Sequence, residues 1–298
     1  MSNNVLVTGG QGMLGSCFSF GLKPSIEELD LRIYKDVLYY MKEHSVTDVI
    51  HCAAKVGGLT YNIGHNADMI LENTDINNNV LRASVECGVK NVVSVLSTCI
   101  FPSGVQEPFS PEDIHSGPPH YSNIGYAFSK RMLLVLCNTV RDQYGINCTT
   151  VIPCNMFGPG DNFKLEESHV IPALIRKAYE SKDGTLLVGG TGIARREFLY
   201  SKDCARIMEW MLKNYEDRRP LIVSPSEDVS ILEVAKVIAS KFDLRIELDD
   251  SIPDGQITKR SDSSLLESLD TGVELTDFDQ ALDETIDWFV DNYNDCRK

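Results

Sequence analysis

Apolar positions fall in short blocks along this chain, and their spacing alternates between two periods. Val5-Leu6-Val7-Thr8 is a continuous apolar run stopped by glycines, which predicts a buried strand. Residues 32–44 carry Ile33, Val37, Leu38 and Met41 at helical spacing. Val49-Ile50-His51 predicts a second buried strand, residues 67–87 a long helix, and residues 91–96 a third strand. A second long helix is expected over 126–144 and a fourth strand over 148–152. Strands alternating with helices predict a parallel, doubly wound sheet.

After Pro153 the texture changes. Gly158-Pro159-Gly160 is a turn cluster and a natural exit from the first domain. Residues 169–179 have helical spacing, Ser230-Ile231-Leu232-Glu233 is a capping box opening a helix to about Lys241, and residues 279–293 form a last amphipathic helix. The expected fold is α/β: a Rossmann-type doubly wound parallel sheet with a smaller C-terminal α/β substrate domain. The expected boundaries are 1–160 for the dinucleotide-binding domain, with a return at about 193–224, and 161–298 for the mainly substrate-binding part.

Composition narrows the class. The chain has 298 residues and 43% hydrophobic side chains, enough for a substantial core. It has no apolar stretch of about 18 residues, so no membrane span is expected. Met1-Ser2-Asn3-Asn4 lacks the basic-then-apolar pattern of a signal peptide, so a cytoplasmic location is expected. Nine scattered cysteines without a CxxC pair read as reduced thiols, and no metal site is expected. A formal charge of −15 argues against nucleic acid as a partner but leaves room for a phosphorylated ligand held by a few local cations.

The candidate chemistry begins at Thr8-Gly9-Gly10-Gln11-Gly12-Met13-Leu14-Gly15. Glycines at 9, 12 and 15 after an N-terminal strand allow a tight turn and a close approach to a pyrophosphate at a helix N-terminus. A βαβ unit takes about 30 residues, with an acid about 20 residues beyond the glycines. Here only residues 16–29 separate Gly15 from Asp30, so the first helix must be short or the second strand nearly absent. No Arg or Lys stands beside the glycines, where a 2′-phosphate could be held, and Lys23 and Arg32 are the only nearby cations, so a remodelled adenosine end is expected.

Tyr126-Ala127-Phe128-Ser129-Lys130 places a phenol and an ammonium on one face of a helix. A lysine beside a tyrosine favours the phenolate and is expected to lower its pKa, so that the pair can pass a proton to a carbonyl oxygen as hydride arrives. Ser97 follows the third strand, at the carboxyl edge where ligands of such sheets bind.

With these residues in view, the segments TGGQGMLG, HCAAKVGG (51–58), STCIFP (97–102), YAFSK (126–130), VIPCNMFGPGDNF (151–163), SHVIPALIRK (168–177) and RREF (195–198) resemble the GDP-L-fucose synthases, extended short-chain dehydrogenases/reductases. The resemblance runs from residue 5 to the last helix. It implies a 3,5-epimerase and 4-reductase of a GDP-linked 4-keto-6-deoxy sugar, with Ser97, Cys99, Tyr126, Lys130 and His169 catalytic, Cys99 and His169 being the epimerisation acid and base. It implies NADP(H) contacts at Gly9, Gly12, Met13, Leu14, Asp30, Ala53, Ala54, Lys130, Pro153, Asn155 and His169, with NAD as the other candidate cofactor. Substrate contacts are implied at Asn155, Asn162, Lys177, Arg196 and Lys259, and a homodimer through the two long helices. There, Leu133, Leu134, Leu136 and Val140 offer apolar surface to core and interface. One position departs from the family: Gly189 stands where its members carry tryptophan before Gly-[Ser/Thr]-Gly. Alternative readings are a related reductase/epimerase for another nucleotide or sugar, a 4,6-dehydratase, or a dinucleotide-binding scaffold without catalysis. A dehydratase wants a carboxylic acid near Ser97, where this chain has Thr98 and Cys99.

Overall fold

Strand β1 (Val5–Thr8) is buried along its whole length. The computed structural model places it at the start of the main sheet, and describes residues 4–252, 254 and 256–298. Helix α1 (Met13–Ser16) follows the glycines and is a single turn. The chain then touches β1 again at one position, a parallel bridge between Leu6 and Leu22. Both consequences of the short segment are therefore present: the first helix is a stub, and the second strand is reduced to Leu22.

Helix α2 (Tyr34–Glu43) leads to β2 (Asp48–His51), then α3 (Leu59–Cys87) leads to β3 (Asn91–Val95), and α4 (Ile124–Tyr144) to β4 (Asn147–Pro153). Helix α3 begins earlier than its apolar period suggests, because a non-helical residue, His65, joins an extra segment to its start. Just beyond that break, Asn66 turns its side chain to the start of α4, accepting from Gly125 N at 2.9 Å.

Strands β5 (Asn155–Phe157), β6 (Thr185–Gly189), β7 (Arg195–Arg196) and β8 (Phe198–Tyr200) are short, with α5 (Val170–Glu180) between β5 and β6. Helix α6 (Ser201–Asn214) precedes β9 (Leu221–Val223). The chain ends with β10 (Val229–Ser230), α7 (Ile231–Lys241), β11 (Arg245–Asp249), α8 (Ser264–Glu267) and α9 (Phe278–Asp291). The capping box at Ser230 forms in full: Ser230 N donates to Glu233 at 2.6 Å and Glu233 N donates back to Ser230 Oγ at 3.1 Å.

The main sheet runs β1-β2-β3-β4-β9, and every pairing in it is parallel. Successive residues of its strands feed opposite cores, which is what a doubly wound sheet requires. Leu6, Val49, Val92 and Ile152 join one cluster with Met41, Leu81 and Leu133. Val5, Val7, Ile50, Val93 and Val151 join another with Met208 and Met211 of α6. A third cluster gathers Phe157, Phe163, Leu174, Phe198, Val234 and Phe289 around the parallel pair β6–β11 and helices α5, α7 and α9. Each such fully buried side chain contributes about 1.5–3 kcal/mol, so the third cluster is an independent source of stability. Among the described residues no helix is long and apolar enough to cross a membrane.

Candidate active site

The carboxyl ends of β1 to β4 bring four of the expected segments to one sheet edge. Thr8 ends β1, His51 ends β2, Val95 ends β3 and Pro153 ends β4. The glycine turn is closed by Gly12 N donating to Gly9 O at 2.9 Å. Gly15 lies so close to the turn that any Cβ there would overlap the Gly9 carbonyl, which explains that glycine. Met13 and Leu14 open α1, with Leu14 buried beneath the turn. Ala53 and Ala54 follow β2. Ala53 N donates to Thr8 Oγ1 at 3.2 Å, and Lys55, two residues on, exchanges two hydrogen bonds with the Asn73 side chain.

Behind this edge runs a buried polar chain. His51 Nδ1 meets Thr8 Oγ1 at 2.8 Å and its Nε2 meets Asn77 Oδ1 at 3.0 Å. Asn77 Nδ2 in turn donates to the Ser129 carbonyl at 3.4 Å, one residue before Lys130. Burial pushes His51 down to about 4, so the ring is neutral and Nε2 donates to the Asn77 carbonyl oxygen.

Lys130 is 1% exposed. Its ammonium donates to Val95 O at 2.7 Å and lies 5.7 Å from the centre of the Tyr126 ring. Burial pushes it down to about 8. Tyr126 moves opposite to expectation: its phenol is raised rather than lowered, by burial first and then by the neighbouring Cys99. Desolvation disfavours a phenolate more than Lys130 favours it, because the ammonium reaches for the strand carbonyl rather than the phenol oxygen. The tyrosine is thus protonated, which is the state needed to donate.

Ser97 caps the short turn Thr98–Ile100, accepting from Cys99 N at 3.2 Å. Arg131, the residue after Lys130, pins this turn to α4 by donating to Ile100 O and Gly117 O, both at 2.8 Å. Sequence reasoning missed Arg131 and the His51–Asn77 chain. The only trace of the first is an arginine directly after the Tyr-x-x-x-Lys spacing, and of the second a histidine inside an apolar strand.

His169 is the residue before α5, and its side chain makes no capping hydrogen bond to the helix. Its ring is open to solvent, yet surrounding protein pushes its pKa down.

The remaining candidates lie on the substrate side. Asn155 Nδ2 donates to Glu197 O at 3.0 Å, tying β5 to the RREF segment. Arg195 is consumed by Asp228, at 2.5 Å, whereas the half-buried Arg196 points elsewhere, donating among the described residues only to the Arg195 carbonyl at 2.6 Å. Asn162 donates to Glu167 at 3.2 Å, while Lys177 and Lys259 form no ion pair among the described residues. At Gly189 the space of a side chain is taken by Ile252, whose Cδ1 would lie 3.0 Å from an added Cβ.

At the adenosine end the arrangement differs from the simple expectation for Asp30. Its carboxylate is held by Arg32 at 2.7 Å, and Lys23 lies against Gly10 with its ammonium turned to the carbonyls of Ser16 and Phe18.

A glycine turn at the carboxyl edge of a parallel sheet, beside a half-buried tyrosine and a buried lysine, defines a dinucleotide-dependent oxidoreductase or epimerase. The sequence pattern of the NAD dependent epimerase/dehydratase family matches residues 5–224. The GDP-L-fucose synthase of Dictyostelium discoideum is 40% identical, over 99% of this chain and 97% of that protein. The probable GDP-L-fucose synthase of Drosophila melanogaster is 38% identical over 99% of each. The crystal structure of a GDP-L-fucose synthetase from Naegleria fowleri bound to NADP superposes with a TM-score of 0.93 at 36% identity, covering 100% of this chain and 96% of that one. The chain belongs to the NAD dependent epimerase/dehydratase family and, within it, to the GDP-L-fucose synthases.

Proposed function

We propose that the protein is an NADP(H)-dependent epimerase/reductase that converts GDP-4-keto-6-deoxy-D-mannose to GDP-L-fucose. The observation that carries this reading is the docking of the Ser97–Cys99 turn beside protonated Tyr126 and buried Lys130. The cofactor fits the site: the turn between Gly9 and Gly12 opens onto the N-terminus of α1, and Lys130 has one acceptor among the described residues although an ammonium carries three donors. Gly9, Gly12, Met13, Leu14, Ala53, Ala54, Pro153 and Asn155 would line it, with Arg32, beside Asp30, offering the nearest guanidinium to a 2′-phosphate. When bound, NADPH supplies the hydride.

The 4-keto group acidifies the hydrogens on both neighbouring carbons. His169, neutral at pH 7, and Cys99 exchange those protons, one group removing and the other returning, so that carbons 3 and 5 are inverted. Ser97 and the Tyr126 hydroxyl stabilise the enolate oxygen meanwhile. In the reduction Tyr126 delivers the proton to the carbon-4 oxygen, and Lys130 orients the nicotinamide ribose. Arg196, Lys177 and Lys259 hold the diphosphate, with Asn162 beside the sugar; the planar fork of Arg196 suits a phosphate. On this reading the first 160 residues, with a return at about 193–224, serve the cofactor, and the remainder the nucleotide sugar.

Incubation with GDP-4-keto-6-deoxymannose in heavy water tests this directly. Deuterium at carbons 3 and 5 without NADPH, and GDP-L-fucose with it, are expected; reduction without deuterium would leave a plain 4-reductase. A second reading, a different nucleobase, is favoured at one point only, by Ile252 filling the place of the family's tryptophan at Gly189. Competition by GDP, UDP and ADP distinguishes the two.

We also infer a cytoplasmic homodimer. The apolar stripe exposed on α4 is Ile124, Phe128, Met132 and Val135, with Leu71 on α3, whereas Leu133, Leu134 and Val140 are spent on the core. Met132→Glu is expected to shift sedimentation from dimer to monomer.

A further inference from the structure

The segment that carries His169 is a short turn, and it meets the residues ahead of α3 at Gly58. Gly58 is the residue before α3. Its N–H donates to Glu167 O at 2.7 Å, two residues before His169. A Cβ on Gly58 would stand 2.7 Å from Ser168 O and 3.1 Å from Glu167 O. Both are backbone oxygens, which cannot rotate out of the way.

Each side of this joint is stiffened locally. On the α3 side, Asn62 Nδ2 donates to Gly57 O at 2.9 Å and Asn62 N donates to Gly58 O at 3.0 Å. On the other side, Glu167 N and Ser168 N both donate to Lys164 O, at 2.9 and 2.7 Å, and Ala173 N donates to His169 O at 3.1 Å. The turn behaves as one piece from Lys164 into α5, and its docking on α3 sets where the imidazole sits.

We propose that Gly58 is a positioning residue for His169: its missing side chain and its N–H fix the imidazole of the epimerisation step relative to the cofactor-binding edge. The inference rests on the reading of His169 given above. It separates the two halves of the reaction, because the hydride centre at Tyr126 and Lys130 is built on α4 and β3 and does not use this joint.

An added methyl must move the turn from 2.7 Å to the ordinary contact distance of 3.4 Å, a displacement of about 0.7 Å. Misplacing a reacting group by about 1 Å costs about 10²-fold in rate. Gly58→Ala is therefore expected to slow deuterium entry at carbons 3 and 5 of GDP-4-keto-6-deoxymannose by about 10- to 100-fold. Oxidation of GDP-L-fucose by NADP, which needs no epimerisation, should stay within about twofold, since the change spares every group that acts on hydride. Adding Gly58→Ala to His169→Gln should cost nothing further, as expected when one residue acts through another. Thermal unfolding establishes that the variant is folded. Asn62→Ala adds no bulk and loosens the same joint, so it should give the same split, smaller in size.

Equal loss of exchange and hydride transfer in a folded variant would overturn the proposal, as would exchange retained in both variants. No deuterium entry in the unaltered chain would instead bring down the epimerase reading itself, and this inference with it.

Discussion

The two ends of the proposed site are built in opposite ways. The hydride end is deep: Lys130 is buried on a helix of 21 residues, held to a strand carbonyl and backed by the His51–Asn77 chain. The proton-exchange end proposed at His169 is shallow: the residue is exposed immediately before α5, and its segment meets the start of α3 through the hydrogen bond from Gly58 N to Glu167 O. Hydride transfer requires a dry, fixed geometry, whereas epimerisation at two carbons requires a ring that can be reached on either side. The difference teaches that one site can hold rigid and accessible chemistry together if each is carried by a different element.

The sharpest break between the ends comes from Tyr126→Phe. It should lower reduction by about 10²–10⁴-fold, the usual scale of a lost general acid, while deuterium exchange falls far less; single-turnover measurement of both rates checks this. His169→Gln should do the reverse, cutting exchange by about 10²-fold while NADP-dependent oxidation of GDP-L-fucose, which loses only a cofactor contact there, falls far less. A smaller effect is expected at Arg196→Ala, where KM for the nucleotide sugar rises by about tenfold with little change in kcat, the signature of lost uniform binding.

The smallest effect concerns stability. Asp161 is 6% exposed and one of its carboxylate oxygens has no partner among the described residues, so burial raises it to about 7 from the ordinary 3.8. Between about pH 4 and 7 the folded chain holds a proton that the unfolded chain lacks, so this group lowers stability progressively as pH rises through that window. Asp161→Asn keeps an acceptor for Asn162 N and removes the charge. It should raise Tm by a few degrees at pH 8 and leave it nearly unchanged at pH 4, read by thermal unfolding at both.

Much of this was legible in the chain. The apolar runs at 5–8 and 49–51 and the long helical patterns became β1, β2, α3 and α4 because burial on both faces leaves a strong period. The short 16–29 interval announced a stub helix or a vestigial strand, and the structure has both, since chain length alone forbids more. The pieces at Arg195–Arg196 and Phe198–Tyr200 left no signal, because two- and three-residue strands are too short to display a period. The apolar face of α4 was partly misjudged: adjacent leucines at 133 and 134 both turn inward, and the exposed stripe falls on Phe128, Met132 and Val135. The direction of the Tyr126 shift was hidden for another reason. Spacing announces that a lysine is near, but not whether its ammonium reaches the phenol oxygen or a strand carbonyl.

The vestigial strand has one more consequence. Because Leu22 replaces a whole strand, β1 is in effect the border of the main sheet, and a bare border of backbone groups invites a foreign strand to add. Leu22 closes it with two bonds, Val7 N to Leu22 O at 2.9 Å and Leu22 N to Val5 O at 2.8 Å. Lys23 and Pro24 follow at once, a charge and a residue that cannot donate, so the closure cannot itself be extended. Three residues thereby guard against aggregation where a longer chain would spend a full strand.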